Sequence, residues 1–309
     1  MNSGKRPNIL VKQSHMILPP SLGATQLEIG LERNKEADRN YHLGGRSFYF
    51  FDFDDNVAFL TTPIILFHKS TAKELKISSS EWAQQQHRIG KEGPFGDYQI
   101  RWDDFGSFKC FRDHDETELK RLGLKKQIFL ADVGNALGFS DLQWKGPSWS
   151  CFYHATFNQR PISVITARGH APETIAAGIE LLVDTAHLPA RPNYLSIFPV
   201  SHPPTRLSLG DLDLTQSVAE LKQSAIRASV EMAIETYGYS PHHRFGMSDD
   251  DPKNIQLIFE EMVRLKNQYP EMSFFLIETQ RGEFIKHEIT TSGLKDTVIE
   301  PAENQIRLF

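Results

Sequence analysis

The sequence is poor in cysteine. Its 309 residues hold two, Cys110 and Cys151, too few for a disulfide framework or a thiolate zinc site. That scarcity fits a reducing compartment. Excess positive charge is lacking too: 34 Lys and Arg stand against 39 Asp and Glu, a net charge of −5. A general nucleic-acid binder needs basic surface to displace counterions, so general nucleic-acid binding is not expected. Long apolar runs are also missing. Those at Ser47–Phe51 and residues 62–67 fall far short of the roughly 18 residues that cross a bilayer. The opening stretch carries Lys5, Arg6, Lys12, His15 and Pro19 instead of a continuous apolar h-region. The expectation is therefore a cytoplasmic chain with no membrane association.

What is present is ordinary for a globular protein: 39% hydrophobic and 24% charged residues. Length alone predicts about two domains. Residues 1–45 mix charge, Pro and Gly without apolar periodicity and read as an N-terminal extension. Ser47–Phe51 (SFYFF) is an unbroken aromatic run, as in a strand covered on both faces. Residues 57–60 and 64–68, separated by Thr61-Thr62-Pro63, read as a β-hairpin. Residues 70–147 read as an inserted subdomain, helical over 80–88 and 127–137 and extended over 98–102 and 107–111.

A strand–helix alternation then begins. Pro161–Thr166, residues 193–200, residues 244–247 and Ser273–Glu278 read as strands, with a further one at 284–289. Pro172 suits a first helical position, Ser217 to Glu220 forms a capping-box pattern, and Asp251-Pro252 reads as N-cap and first turn. The order predicts an open α/β parallel sheet with helices on both faces and ligands beyond the carboxyl ends of its strands.

That rule gathers Asp52, Asp54, Thr166, Asp249, Asp250 and Asp251 at one sheet edge. Like charges there repel, and a bound Mg²⁺ would relieve them, being hard and oxygen-seeking. In the pair Asp52-x-Asp54, one carboxylate can attack phosphorus while the other protonates the leaving oxygen and later takes a proton from water.

These motifs resemble those of the haloacid dehalogenase-like (HAD) phosphohydrolase superfamily. Asp52-Phe53-Asp54-Asp55-Asn56-Val57 is similar to its first motif, residues 162–169 (ISVITARG) to its second, and residues 245–254 (FGMSDDDPKN) to its acidic metal loop. The resemblance implies a Rossmann-like core from residues 46–69 and 148–295 with a β-hairpin flap, a small cap over 70–147, and a C-terminal tail over 296–309. It implies a phosphatase acting on a phosphorylated small molecule or macromolecule. Asp52 would be the nucleophile and Asp54 the acid/base. Thr166 would bond the phosphoryl group, and Lys222 would supply the third-motif lysine. Asp52, Asp54 through its carbonyl, and Asp249 or Asp250 would hold Mg²⁺. Asn56, Ser248 and Asn254 depart from the pattern. The last two, in the acidic loop, leave open a catalytically weak phosphate-sensing or protein-binding module; phosphotransfer to an acceptor other than water is a further alternative. Other residues take plainer readings. Asp251 reads as a helix cap, His242-His243 as loop, and His170 as at most a substrate contact; Arg168 and Lys253, near the site, read as anion-recognising residues or, by default, as surface charge.

Overall fold

The computed structural model describes residues 34–279, 284–291 and 293–299. Most of the expected N-terminal extension, and residues 300–309 of the expected tail, lie outside these. In chain order, β1 (Ser47–Phe51) is followed by β2 (Ile64–His68), β3 (Glu74–Ile77), α1 (Ser79–Gln85) and β4 (Tyr98–Gln99). Four helices come next: α2 (Glu116–Arg121), α3 (Ile128–Ala136), α4 (Asp141–Trp144) and α5 (Trp149–Phe157). The alternation then runs β5 (Pro161–Thr166), α6 (Pro172–Asp184), β6 (Asn193–Pro199), α7 (Pro203–Ser208), α8 (Val218–Tyr237), β7 (Arg244–Asp249), α9 (Pro252–Gln268) and β8 (Ser273–Glu278). β9 (Ile285–Thr290) and β10 (Gly293–Ile299) close the described chain.

The main sheet has the order β10-β9-β8-β7-β1-β5-β6. β6, β5, β1, β7 and β8 are parallel; β9 and β10 add an antiparallel edge. All five side chains of β1 are buried, and they alternate between two cores. Phe48 and Phe50 pack with α8 and α9, through Leu221, Ile226, Ile258 and Met262. Tyr49 and Phe51 pack on the opposite face with α3, α5 and α6, through Phe129, Phe152, Ile175 and Ile179. A strand covered on both faces has no solvent side, which is why its sequence does not alternate. The chain winds from β1 outward to β5 and β6, then returns to β7 on the other side. The topological switch therefore lies beside β1, the usual ligand crevice of such sheets. The result is a Rossmann-like α/β arrangement with a mostly parallel sheet. No helix of the described residues is long and apolar enough to cross a membrane.

Two local expectations are corrected. Residues 57–60 are not a strand. They close a tight loop in which the Val57 and Ala58 amides both donate to Phe53 O and Asp55 takes φ +57°. The hairpin partner of β2 is β3 instead, with β4 on β2's other edge. Residues 107–111 are not extended either; Lys109–Phe111 is a 3-10 turn. The small sheet keeps its own apolar cluster around Ile64, Leu66 and Ile77, whereas α3 packs into the main core.

Gly178 lets α3 lie close against α6. A Cβ there would sit 2.3 Å from Phe129 Cε1, on a ring with 0% exposure. Gly178→Ala should gain about 1 kcal/mol of helix propensity and lose more, within about 1–3 kcal/mol, to overpacking. A lowered unfolding temperature is expected; an unchanged or raised one would mean that Phe129 yields without cost.

Candidate functional site

The site begins where β1 ends. Asp52 follows the strand and donates its amide to Ser248 O of β7 at 3.0 Å. Phe53 turns into the core against Phe129 and Phe152. Side-chain alternation thus leaves the flanking Asp52 and Asp54 on the side away from that core. The loop is braced from β7 by Asn56. Its Nδ2 donates to Asp52 O, Ser248 O and Ser248 Oγ at 2.9, 3.1 and 2.8 Å. Its Oδ1 accepts from Thr279 Oγ1 at 2.8 Å. Two of the departures from the family pattern, Asn56 and Ser248, therefore bond each other.

Lys222, in the second turn of α8, is 1% exposed. Its Nζ lies 2.6 Å from Asp249 Oδ2 and 3.3 Å from Asp52 Oδ1. The helix is fixed there by the Ser217–Glu220 capping box. The two acids raise the lysine's pKa, overcoming the opposing effect of burial, so it stays an ammonium. Asp249, 0% exposed, is held on both oxygens. Oδ2 takes Lys222, while Oδ1 accepts from Asp251 N at 3.0 Å and Asn254 Nδ2 at 3.1 Å. Asn254, the third departure, thus aims Asp249. Asp251 caps α9 by accepting from Lys253 N.

Carboxylate oxygens of Asp52, Asp249 and Asp250 lie within 4.8 Å of one another. Three acids against one ammonium leave two net negative charges when all are ionised, which matches a divalent cation. Asp52 Oδ1 is buried and accepts no hydrogen bond, leaving a lone pair for such an ion. An all-oxygen donor set suits a hard metal. Burial and the neighbouring acids push the Asp52 carboxyl well above the ordinary range, against the pull of Lys222. Burial, Asp249 and Asp55 push Asp250 up to about 7.

Asp54 and Thr166 lie together. The Thr166 hydroxyl donates to Asp54 Oδ2 at 3.2 Å. Arg168, read from sequence as surface charge, is instead 1% exposed and grips Asp54 from 2.6 Å. Its place two positions beyond Thr166 put it near the site, but its burial and its pairing with Asp54 were not legible in the sequence. Lys253 stays outside, reaching Gln86 Oε1 at 3.5 Å. The insertion also touches the loop, where the Ser79 side chain hydrogen-bonds Asp55. His170 is wholly buried; burial and Arg168 lower its pKa to about 2, so it is a neutral interior ring in this state. Among the described residues, Asp52, Asp249 and Asp250 form the only acidic or His/Cys cluster compact enough to hold an ion.

The folded chain keeps a proton on Asp250 between its ordinary value of 3.8 and about 7, a range in which the unfolded chain has released it. This group's contribution to stability therefore falls as pH rises through that window. With divalent ions chelated, Asp250→Asn should raise the unfolding temperature more at pH 8 than at pH 5. An equal shift at both would refute the elevated pKa.

No family model matches the chain, and no curated protein or solved structure matches it.

Proposed function

We propose that this chain is a Mg²⁺-dependent phosphatase of the haloacid dehalogenase-like kind, hydrolysing a phosphate monoester through an aspartyl-phosphate. The observation that carries the reading is the meeting of Asp52, Asp249 and Asp250 around the buried Lys222 ammonium, beside Asp54 and Thr166, at the sheet's switch point. A carboxylate oxygen of Asp52 attacks phosphorus as the bond to the leaving oxygen breaks. Asp54 must enter this step carrying a proton; it gives that proton to the leaving oxygen and is left as the carboxylate, which then accepts a proton from the water that hydrolyses the acyl phosphate. The Thr166 hydroxyl, which donates to Asp54 Oδ2 here, would turn to donate to a phosphoryl oxygen. Lys222 neutralises the crowded carboxylates and holds Asp52 in line.

Asp52, Asp249, Asp250 and the Asp54 carbonyl are the residues that would hold Mg²⁺. When bound, Mg²⁺ offsets the repulsion between an anionic nucleophile and an anionic phosphate. The three departures from the motif favour a working site over a relic, since Asn56, Ser248 and Asn254 each make hydrogen bonds that shape it.

Asp52→Asn is expected to abolish Mg²⁺-dependent turnover of an aryl phosphate while the unfolding transition stays cooperative. Turnover retained above background would overturn the mechanism. Chelation should stop the wild-type reaction, and added Mg²⁺ should restore it. Asp54→Asn should lower turnover by about 10²–10⁴-fold, the usual worth of general acid–base catalysis. With a good leaving group it should show a stoichiometric burst of phenol, because dephosphorylation then limits. Absence of both effects would remove Asp54 from the chemistry.

A further inference from the structure

Arg168 has no role in the chemistry just described, yet it is among the most enclosed charges in the molecule, with 1% exposure. Its Nε donates to Asp54 Oδ1 and Oδ2 at 3.1 and 2.9 Å, and Nη2 to Oδ1 at 2.6 Å. Nη2 also donates to Thr62 Oγ1 at 2.7 Å. The Thr62 hydroxyl passes the contact on to Asp132 Oδ2 of α3. Asp132 Oδ1 in turn holds Thr61 through its amide and hydroxyl, at 3.1 and 2.6 Å. The guanidinium carbon lies 5.0 Å from the Phe111 ring centroid and 4.7 Å from that of Phe129.

The backbone beside Arg168 is clamped by the same region. Gly169 N donates to Phe111 O at 2.7 Å. Ala171, at the N-cap of α6, has no capping side chain. Asp113 supplies one from a distance, its Oδ2 accepting from Ala171 N at 2.9 Å and Thr174 Oγ1 at 3.0 Å. Phe111, Asp113, Phe129 and Asp132 all come from the segment between β4 and α5. A guanidinium fork fixes a carboxylate in two directions at once, which a lysine does not. Enclosed as it is, with Nη1 buried and lacking an acceptor, Arg168 depends on Asp54 for most of its compensation.

We propose that Arg168 is a positioning residue that aims the Asp54 carboxylate and ties that aim to the seating of residues 111–132 on the sheet edge. The acid–base group is then set only while this part of the insertion is docked. The inference rests on the reading of Asp54 given above. It makes substrate capture and proton transfer separable: the arginine acts through Asp54 and does not bind the phosphoryl group.

The test uses the full chain with Arg168→Met, Arg168→Lys, Thr62→Val and Asp132→Asn. Aryl-phosphate kinetics with Mg²⁺ are read together with hydrogen exchange over residues 105–135. A misplaced reacting group can cost about 10²-fold, so Arg168→Met should lower kcat on that order with KM within about threefold, and Arg168→Lys should recover only part of it. Thr62→Val and Asp132→Asn, which touch neither Asp54 nor the phosphate, should lower kcat severalfold. Arg168→Met and Asp132→Asn should also speed exchange in residues 111–132. A raised KM at constant kcat in Arg168→Met would overturn the proposal in favour of direct substrate binding. Wild-type kcat in both Thr62→Val and Asp132→Asn would overturn the coupling. If Arg168→Met does not fold, Arg168→Lys and Thr62→Val decide the same points. If the wild type shows no turnover above Asp52→Asn, the phosphatase reading fails; the exchange arm still judges the coupling, and unchanged exchange overturns it.

Discussion

The ammonium of Lys222 holds three distant parts of the chain in one place. Asp52 ends β1, Asp249 ends β7, and the lysine rises from α8 between them. Each of these charges would be costly if buried alone, by several kcal/mol per ion after relaxation. Together they neutralise part of one another, and the remainder is negative. The lysine therefore does two things with one charge: it lets the strand ends approach, and it leaves a deficit of the sign a divalent cation fills.

The side chains around this core behave as a set. Asn56, Ser248 and Thr279 interlock behind the loop that follows β1. Asn254 and the Asp251 amide turn Asp249 towards its lysine. Compared one position at a time with a motif, Asn56, Ser248 and Asn254 look like losses. In three dimensions each is a donor or acceptor with a partner, and the buried polar groups behind the loop are nearly all satisfied.

The α/β alternation was legible because buried parallel strands are short apolar runs and because Pro172, Ser217 and Asp251 mark their helix starts. The convergence of Asp52, Asp249 and Asp250 followed from strand ends alone. The hairpin was not legible. Residues 57–60 (VAFL) look apolar enough for a strand, but the left-handed turn at Asp55 folds them back at once, and β3 takes the pairing through residues of mixed polarity. α5 (WSCFYHATF) was passed over because its buried face mixes Cys151, His154, Ala155 and Thr156 with Trp149 and Phe152, which masks the helical period; six of its nine residues are buried. Arg168 was misread because a lone arginine after a strand is usually solvated. Its burial depends on Phe111 and Phe129, more than 35 positions away, which no local pattern reports.

The placement of β1 also has a consequence for how the polypeptide is made. The lateral neighbours of this aromatic strand are made well after it: β5 over 100 residues later, and β7 nearly 200 residues later. At roughly 5–20 residues per second, a nascent chain carries SFYFF without its second partner for on the order of 10–40 s. Until then the run is an unpaired, uncharged β edge of the kind that seeks other chains. Charge flanks that run at both ends, Arg46 before it and Asp52 after it, which is the placement that discourages such pairing.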